Sequence, residues 1–168
     1  NRAIKSMEGV ENAYPLVVSA GAAKFANGKT SGLTLIGTQA PEFAGVWNLY
    51  TADKFEMLPD GAVITEFFDA KTLGGLEEGE YFEINGKKVY NAGLTRGVRG
   101  FAGIYGFTTI ERARFLTNYS TNKANAFLVK WDNGADPRKV IARINATIPG
   151  IKAWDAEELA QATMMEVL

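Results

Sequence analysis

Cysteine and histidine are both absent from this chain of 168 residues. That removes thiolate nucleophiles, Cys/His zinc sites, imidazole bases and Ser-His-Asp triads in one step. What remains is the chemistry of carboxylates, amides, hydroxyls and cations. Glu77, Glu78 and Glu80 cluster about Gly79. Paired carboxylates can do acid–base work or hold a cation, but these flank a turn that opens a hairpin strand, where charges are ordinarily solvated. Asp132, Asn133 and Asp136 resemble part of a calcium loop, without that loop's spacing or terminal Glu. Beside the glycines of GVRGFAGIYG, Arg96 just before the run and Arg99 within it stand like anion clamps. The spacing matches neither the dinucleotide fingerprint nor the Walker loop, and no Lys-Ser/Thr follows. A glycine-permitted bend feeding a strand explains the run. Asn118-Tyr-Ser120 and Asn145-Ala-Thr147 have the form of glycosylation sequons, a pattern short enough to arise by chance. The expectation is no catalytic residue, no metal ligand, no cofactor and no enzyme.

Binding is the remaining possibility. The stretch QAPEFAGVWNLYTADKFEMLPD has no clean period and carries four aromatics. Phe43, Trp47 and Tyr50 within it either fill a core or form an exposed aromatic surface for a protein or lipid partner. They are the candidate partner-binding residues, together with Asn85 and Gly86 at a hairpin tip.

The elements that must position these residues follow from local signals. Residues 1–8 read as the end of a helix stopped by Gly9. Tyr14–Ala20 reads as a largely buried strand whose Pro15 belongs at an edge. Asn27-Gly28 then turns it toward Leu33–Ile36. Ala62–Thr65 is a short strand, and Glu66–Leu73 a short helix closed by Gly74-Gly75. Asn85-Gly86 joins YFEI to KKVY, the sharpest hairpin signal in the chain. Thr108-Thr109-Ile110-Glu111 has the form of a capping box, predicting a helix to about Leu116. Ala126–Trp131 is a strand. Asp136-Pro137 opens a helix with Val140, Ile141, Ile144 and Ile148 on one face and Arg138, Lys139 and Arg143 facing away. Ile151–Trp154 is a strand, and Asp155 with Glu158 caps a last helix, which MMEVL continues.

These elements predict an α+β fold of two lobes. Residues 1–40 and 101–168 form a sheet-plus-helices lobe with a βαβ-like tail, and residues 41–100 a smaller inserted β-rich lobe. Hydrophobic residues make up 46% and charged residues 22%, a globular balance. The net charge of -1 leaves no basic excess to track a phosphate backbone, so no nucleic-acid partner is expected. No apolar run reaches the ~20 residues that cross a bilayer. Both ends read as cut helices, as in a segment of something longer.

With the order of elements in hand, the chain resembles the MacB-like periplasmic core domain of FtsX-type ABC permeases, and most closely the DevC-type branch. The matching pieces run in family order: MEGVENAYPLV, LTLIGTQAPEF, DGAVITEFFDAKTLGGLEEGEYFEINGKKVYNAGL, GFTTIERARFL and AFLVKWDNGADPRKVIARINATIPGIKAWDAEELA. They cover most of the chain. The specificity lies in the ordered set, since no piece is a sharp motif.

The resemblance implies a domain between the first and second transmembrane helices of a permease. Residues 1–8 would descend from the first and residues 155–168 lead into the second. The implied setting is the extracytoplasmic, periplasmic side of an inner membrane. Implied partners are an ATPase subunit and a second permease, held through membrane regions, and a periplasmic adaptor protein; the isolated domain would be a monomer. The implied role is to couple cytoplasmic ATP hydrolysis to export of a lipid, lipoprotein or small hydrophobic substrate. The alternative is a non-transporting module that recruits or activates a cell-wall enzyme.

Overall fold

The computed structural model describes residues 2–46, 49, 51, 53–66, 77–95, 105–119, 124–148, 151–155 and 162–167; of these, 2–3, 151–155 and 162–167 are described as backbone. The elements are α1 (Arg2–Lys5), β1 (Val10–Lys24), β2 (Thr30–Thr38), a 3-10 turn (Lys54–Met57), β3 (Ala62–Glu66), β4 (Tyr81–Ile84), β5 (Lys87–Thr95), β6 (Tyr105–Thr109), α2 (Ile110–Thr117), β7 (Ala126–Trp131), α3 (Pro137–Thr147), β8 (Ile151–Asp155) and β9 (Ala162–Val167). The α+β class is as expected.

The chain divides into two compact units, Asn1–Leu16 with Lys123–Leu168, and Val17–Asn122. The inserted unit is thus the larger one, with boundaries near 16/17 and 122/123 rather than 40/41 and 100/101. The reason lies in β1. Its first half, Val10–Leu16, pairs with β7, while its second half, Val17–Lys24, pairs with β2. The expected boundaries at 40 and 100 would separate β3 from β6, its antiparallel partner, and β4 from β1.

In the first unit the sheet runs β1-β7-β9-β8, antiparallel throughout. Pro15 sits in the half of β1 that forms the outer strand of this order, the kind of position at which a strand tolerates proline. Asp136 caps α3, its carboxylate accepting the Arg138 N–H at 3.0 Å, with Pro137 in the first turn. The helix buries Val140 and Ile144 against Ile4, Val10, Ala13, Val129 and Trp131. Each such aliphatic side chain contributes about 1.5–3 kcal/mol. Gly9 holds a φ of +87°, and a Cβ there would lie 2.9 Å from Val140 Cγ2, so both backbone and packing require glycine.

The end of the chain departs from the expectation. Ala162–Val167 is not a helix but β9, paired between β7 and β8. Local propensity favoured a helix; two flanking strands offered more, because a middle strand satisfies its backbone groups on both edges.

The second unit is a closed ring of six strands, β1-β2-β6-β3-β5-β4 and back to β1. Closure leaves no unpaired edge within the ring. Val17, Leu33, Leu35, Val63, Phe82, Ile84 and Val89 share one core with Ile110, Ala113 and Leu116 of α2. The helix approaches β2 at Gly37, where a Cβ would meet Ala113 Cβ at 2.7 Å and Ile110 Cα at 2.9 Å. Every residue of β3 is buried. The 3-10 turn packs against β3, β5 and β6. Both expected hairpins are present: β1–β2, with Gly28 at φ +84°, and β4–β5. The helix expected over 66–73 begins with Glu66, which is the last residue of β3; the rest lies outside the described residues.

Candidate functional site

The sequence-predicted residues separate in space. Phe43 is 1% exposed, meets the Phe55 ring edge-on at 5.6 Å, and donates its N–H to the Gln39 carbonyl at 2.8 Å. It is a core residue and offers no surface to a partner, which corrects its reading as an exposed anchor. The irregular stretch folds back on itself here, and the most apolar side chain available fills the space beneath it. Trp47 and Tyr50 lie outside the described residues.

Asn85 and Gly86 form the exposed tip of β4–β5, with φ values of +50° and +79°. Those angles are the ones a two-residue hairpin turn needs. The Asn85 side chain is committed: Oδ1 accepts the Ala22 N–H at 2.8 Å, and Nδ2 donates to the Leu116 carbonyl at 3.0 Å. Lys87, one residue past the tip, donates to the Phe115 carbonyl at 2.7 Å and to Asn118 Oδ1 at 3.1 Å. The tip therefore caps the C-terminal end of α2, where orphan carbonyls and the negative end of the helix dipole attract donors and cations.

The other polar sets have plain structural roles. Glu77–Glu80 is an exposed turn closed by the Glu80 N–H on the Glu77 carbonyl at 3.1 Å. Asp136 is a helix cap. Asn118 is the left-handed C-cap of α2. Most of the glycine run, including Arg96 and Arg99, lies outside the described residues. Among the described residues no group of three or more Asp and Glu side chains is placed to hold a metal ion.

A feature the sequence reading missed lies beside the hairpin. A surface cleft of about 350 Å³ is lined by Asp60, Lys88, Glu111, Arg112 and Phe115, with Val89 and Leu116 at its apolar side. Arg112 organises it. Its Nη1 donates to the carbonyls of Met57 at 2.7 Å and Ala62 at 3.0 Å and to Thr108 Oγ1 at 3.1 Å, and Nη2 reaches the Leu58 carbonyl at 3.4 Å. Burial lowers the guanidinium pKa from its usual range, opposed by the negative fields of Asp60, Tyr90 and Glu111. This planar fork ties the 3-10 turn and the start of β3 to α2, a geometry that a lysine ammonium cannot reproduce.

The α2 cap is also shifted from the expectation. Thr109, not Thr108, is the N-cap, its Oγ1 accepting the Arg112 N–H at 3.3 Å. Arg112 therefore occupies the third helical position, and Glu111, expected to close a capping box, faces the cleft instead. Phe115 is 64% exposed at the cleft. Lys87 Nζ lies 4.7 Å from its ring centroid, and Lys88 Nζ 4.3 Å from that of Tyr81. The only signal that could have pointed here was the coincidence of Pro59-Asp60-Gly61, a turn, with the polar first turn of α2.

No protein-family model matches the chain, and no curated protein matches it either. Solved structures do. The extracellular domain of the noncanonic ABC-type transporter YknZ from Gram-positive bacteria matches 99% of this chain and 86% of its own, at 14% identity and a TM-score of 0.57. The periplasmic region of MacB from Actinobacillus actinomycetemcomitans matches 98% of this chain and 76% of its own, at 11% identity and 0.54. A domain assigned to a permease protein of Porphyromonas gingivalis matches 99% and 81%, at 13% identity and 0.55. The chain thus has the fold of extracytoplasmic domains of ABC-type transporters. More narrowly, that fold is the MacB-like one.

Proposed function

We propose that this chain is the extracytoplasmic domain of an ABC-transporter permease. In this reading it couples ATP hydrolysis by a cytoplasmic ATPase to export of a lipid, lipoprotein or small hydrophobic substrate through an adaptor protein. It acts as a mechanical and binding part, without chemistry of its own, and is a monomer when isolated. The observation that supports this best is the likeness of nearly the whole chain to the extracellular domain of the ABC-type transporter YknZ, the periplasmic region of MacB and a domain of a permease protein. Among the described residues no helix is long and apolar enough to cross a membrane, which is compatible with a domain outside the bilayer. The DevC-type branch rests on the sequence resemblance alone.

The test uses the absence of cysteine. A single cysteine replaces exposed Asn27 or Asn133 in the full-length protein, with any cysteine elsewhere in it removed. Intact cells are then treated with a membrane-impermeant maleimide. The proposal expects labelling without permeabilisation at both positions. Labelling only after lysis places the domain in the cytoplasm and sinks the proposal. Loss of substrate export on deleting the domain, with ATP hydrolysis retained, supports the transport role; intact export with lost cell-wall hydrolase activity favours a recruiting module.

A further inference from the structure

We infer that Asn133-Gly134, in the turn between β7 and α3, is a site of spontaneous covalent modification, where the asparagine loses its side-chain amide and becomes aspartate or isoaspartate. The inference goes beyond the proposed function and does not depend on it.

The chemistry needs an asparagine carboxamide and the main-chain nitrogen of the next residue. Once a base has taken its proton, that nitrogen attacks the side-chain carbon Cγ. A C–N bond forms, Nδ2 leaves as ammonia, and a five-membered succinimide ring closes. Water then opens the ring. Opening at the side-chain carbonyl gives aspartate. Opening at the main-chain carbonyl gives isoaspartate, in which the side-chain methylene has entered the main chain. No oxidant or enzyme is required. A following glycine favours the attack because it has no Cβ to crowd the approach.

The chain holds three such pairs, Asn27-Gly28, Asn85-Gly86 and Asn133-Gly134. All six residues are exposed, and a Cβ on any of the three glycines would meet nothing within 4 Å. Access therefore does not choose among them, but hydrogen bonding does. At Asn85 the carboxamide under attack is held at both ends. Its Oδ1 accepts the Ala22 N–H at 2.8 Å and its Nδ2 donates to the Leu116 carbonyl at 3.0 Å. At Asn27-Gly28 the attacking nitrogen is held, because the Gly28 N–H donates to the Phe25 carbonyl at 2.9 Å.

Asn133-Gly134 differs. The turn is closed by the Ala135 N–H on the Asp132 carbonyl at 2.9 Å, a bond that spans the pair. Gly134, at a φ of +85°, is the third residue of this four-residue turn. The N–H at that place is not used by the turn bond, and the Gly134 N–H donates to no group among the described residues. The attacking nitrogen is thus exposed and unprotected. The product adds one negative charge beside Asp132, shortly before the Asp136 cap of α3. Isoaspartate also lengthens the main chain where the Asp132 N–H is tied to the Gly9 carbonyl at 2.7 Å.

The experiment incubates the folded chain in mildly alkaline water enriched in the heavy oxygen isotope, then reads label uptake by peptide mass spectrometry. Trypsin separates the three pairs into residues 25–29, 72–87 and 131–138. Peptide 131–138 should take up label first. It should lead 72–87 by about tenfold or more, because the hairpin tip must break both Asn85 bonds before it reacts. Peptide 25–29 should also lag behind it. In urea, where these hydrogen bonds are gone, the three peptides should label at similar rates. Asn133→Gln closes a larger ring only slowly, so it should remove the label from 131–138 and the leading acidic species from anion exchange. The inference is overturned if 131–138 stays unlabelled, if either other peptide labels as fast in the folded chain, or if urea leaves the order unchanged.

Discussion

Asn85 joins the tip of the β4–β5 hairpin to the last turn of α2 by donating its side-chain amide to the main-chain carbonyl of Leu116 at 3.0 Å. The same side chain accepts from Ala22 on β1. One residue thus serves as turn former, strand tie and helix cap.

Two substitutions separate those roles. Asn85→Gly keeps the positive φ and loses both side-chain bonds, so urea unfolding should show a loss of about 1–3 kcal/mol. Asn85→Ala loses the bonds and adds the strain of a left-handed alanine, a further ~1 kcal/mol. Equal stability of the two variants would show that the turn tolerates a Cβ and that the strain argument fails.

Gly37→Ala places a methyl group 2.7 Å from Ala113 Cβ. The helix must then lift from β2, at a cost of about 1–3 kcal/mol. Pairing it with Ala113→Gly should recover part of the loss in a double-mutant cycle. Additive losses in the cycle would mean that the two sites do not clash.

Phe43 and Phe55 form an edge-on pair with opposite exposures, 1% and 46%. Phe43→Ala should destabilise by about 3–5 kcal/mol as a core truncation. Phe55→Ala should cost under about 1.5 kcal/mol, since half its ring is already in water. Denaturant midpoints of the two variants decide the matter, and similar midpoints would contradict the core assignment of Phe43.

Arg112→Lys retains the positive charge and loses the fork. It leaves carbonyls of Met57, Leu58 and Ala62 short of donors, so a loss of about 2–3 kcal/mol is expected. Amide exchange should speed up first between Lys54 and Val63, the segment this side chain ties down. A uniform change across the inserted unit would instead mean that Arg112 supports the whole barrel.

The Cα chemical shifts of Ala162–Val167 should have the sign of a strand. Helical shifts there would restore the sequence expectation and remove β9 from between β7 and β8.

Features whose cause lies within a few residues were legible beforehand. Asn85-Gly86 specified its hairpin because those two residues carry the positive φ values of the turn at low cost. Asp136-Pro137 with Val140 and Ile144 specified α3, its cap and its buried face. The absence of His and Cys, fixed by composition, removed whole classes of chemistry before any fold was known. Three outcomes belonged to the tertiary structure. Whether MMEV was helix or strand depended on β7 and β8 supplying partners on both sides. Whether Phe43 was surface or core depended on what folded over it. The cleft required Arg112 to meet carbonyls 55 and 50 positions earlier in the chain. Hydrogen bonds and burial act through space, and the ring closure that brings those carbonyls to α2 leaves no periodic trace along the sequence.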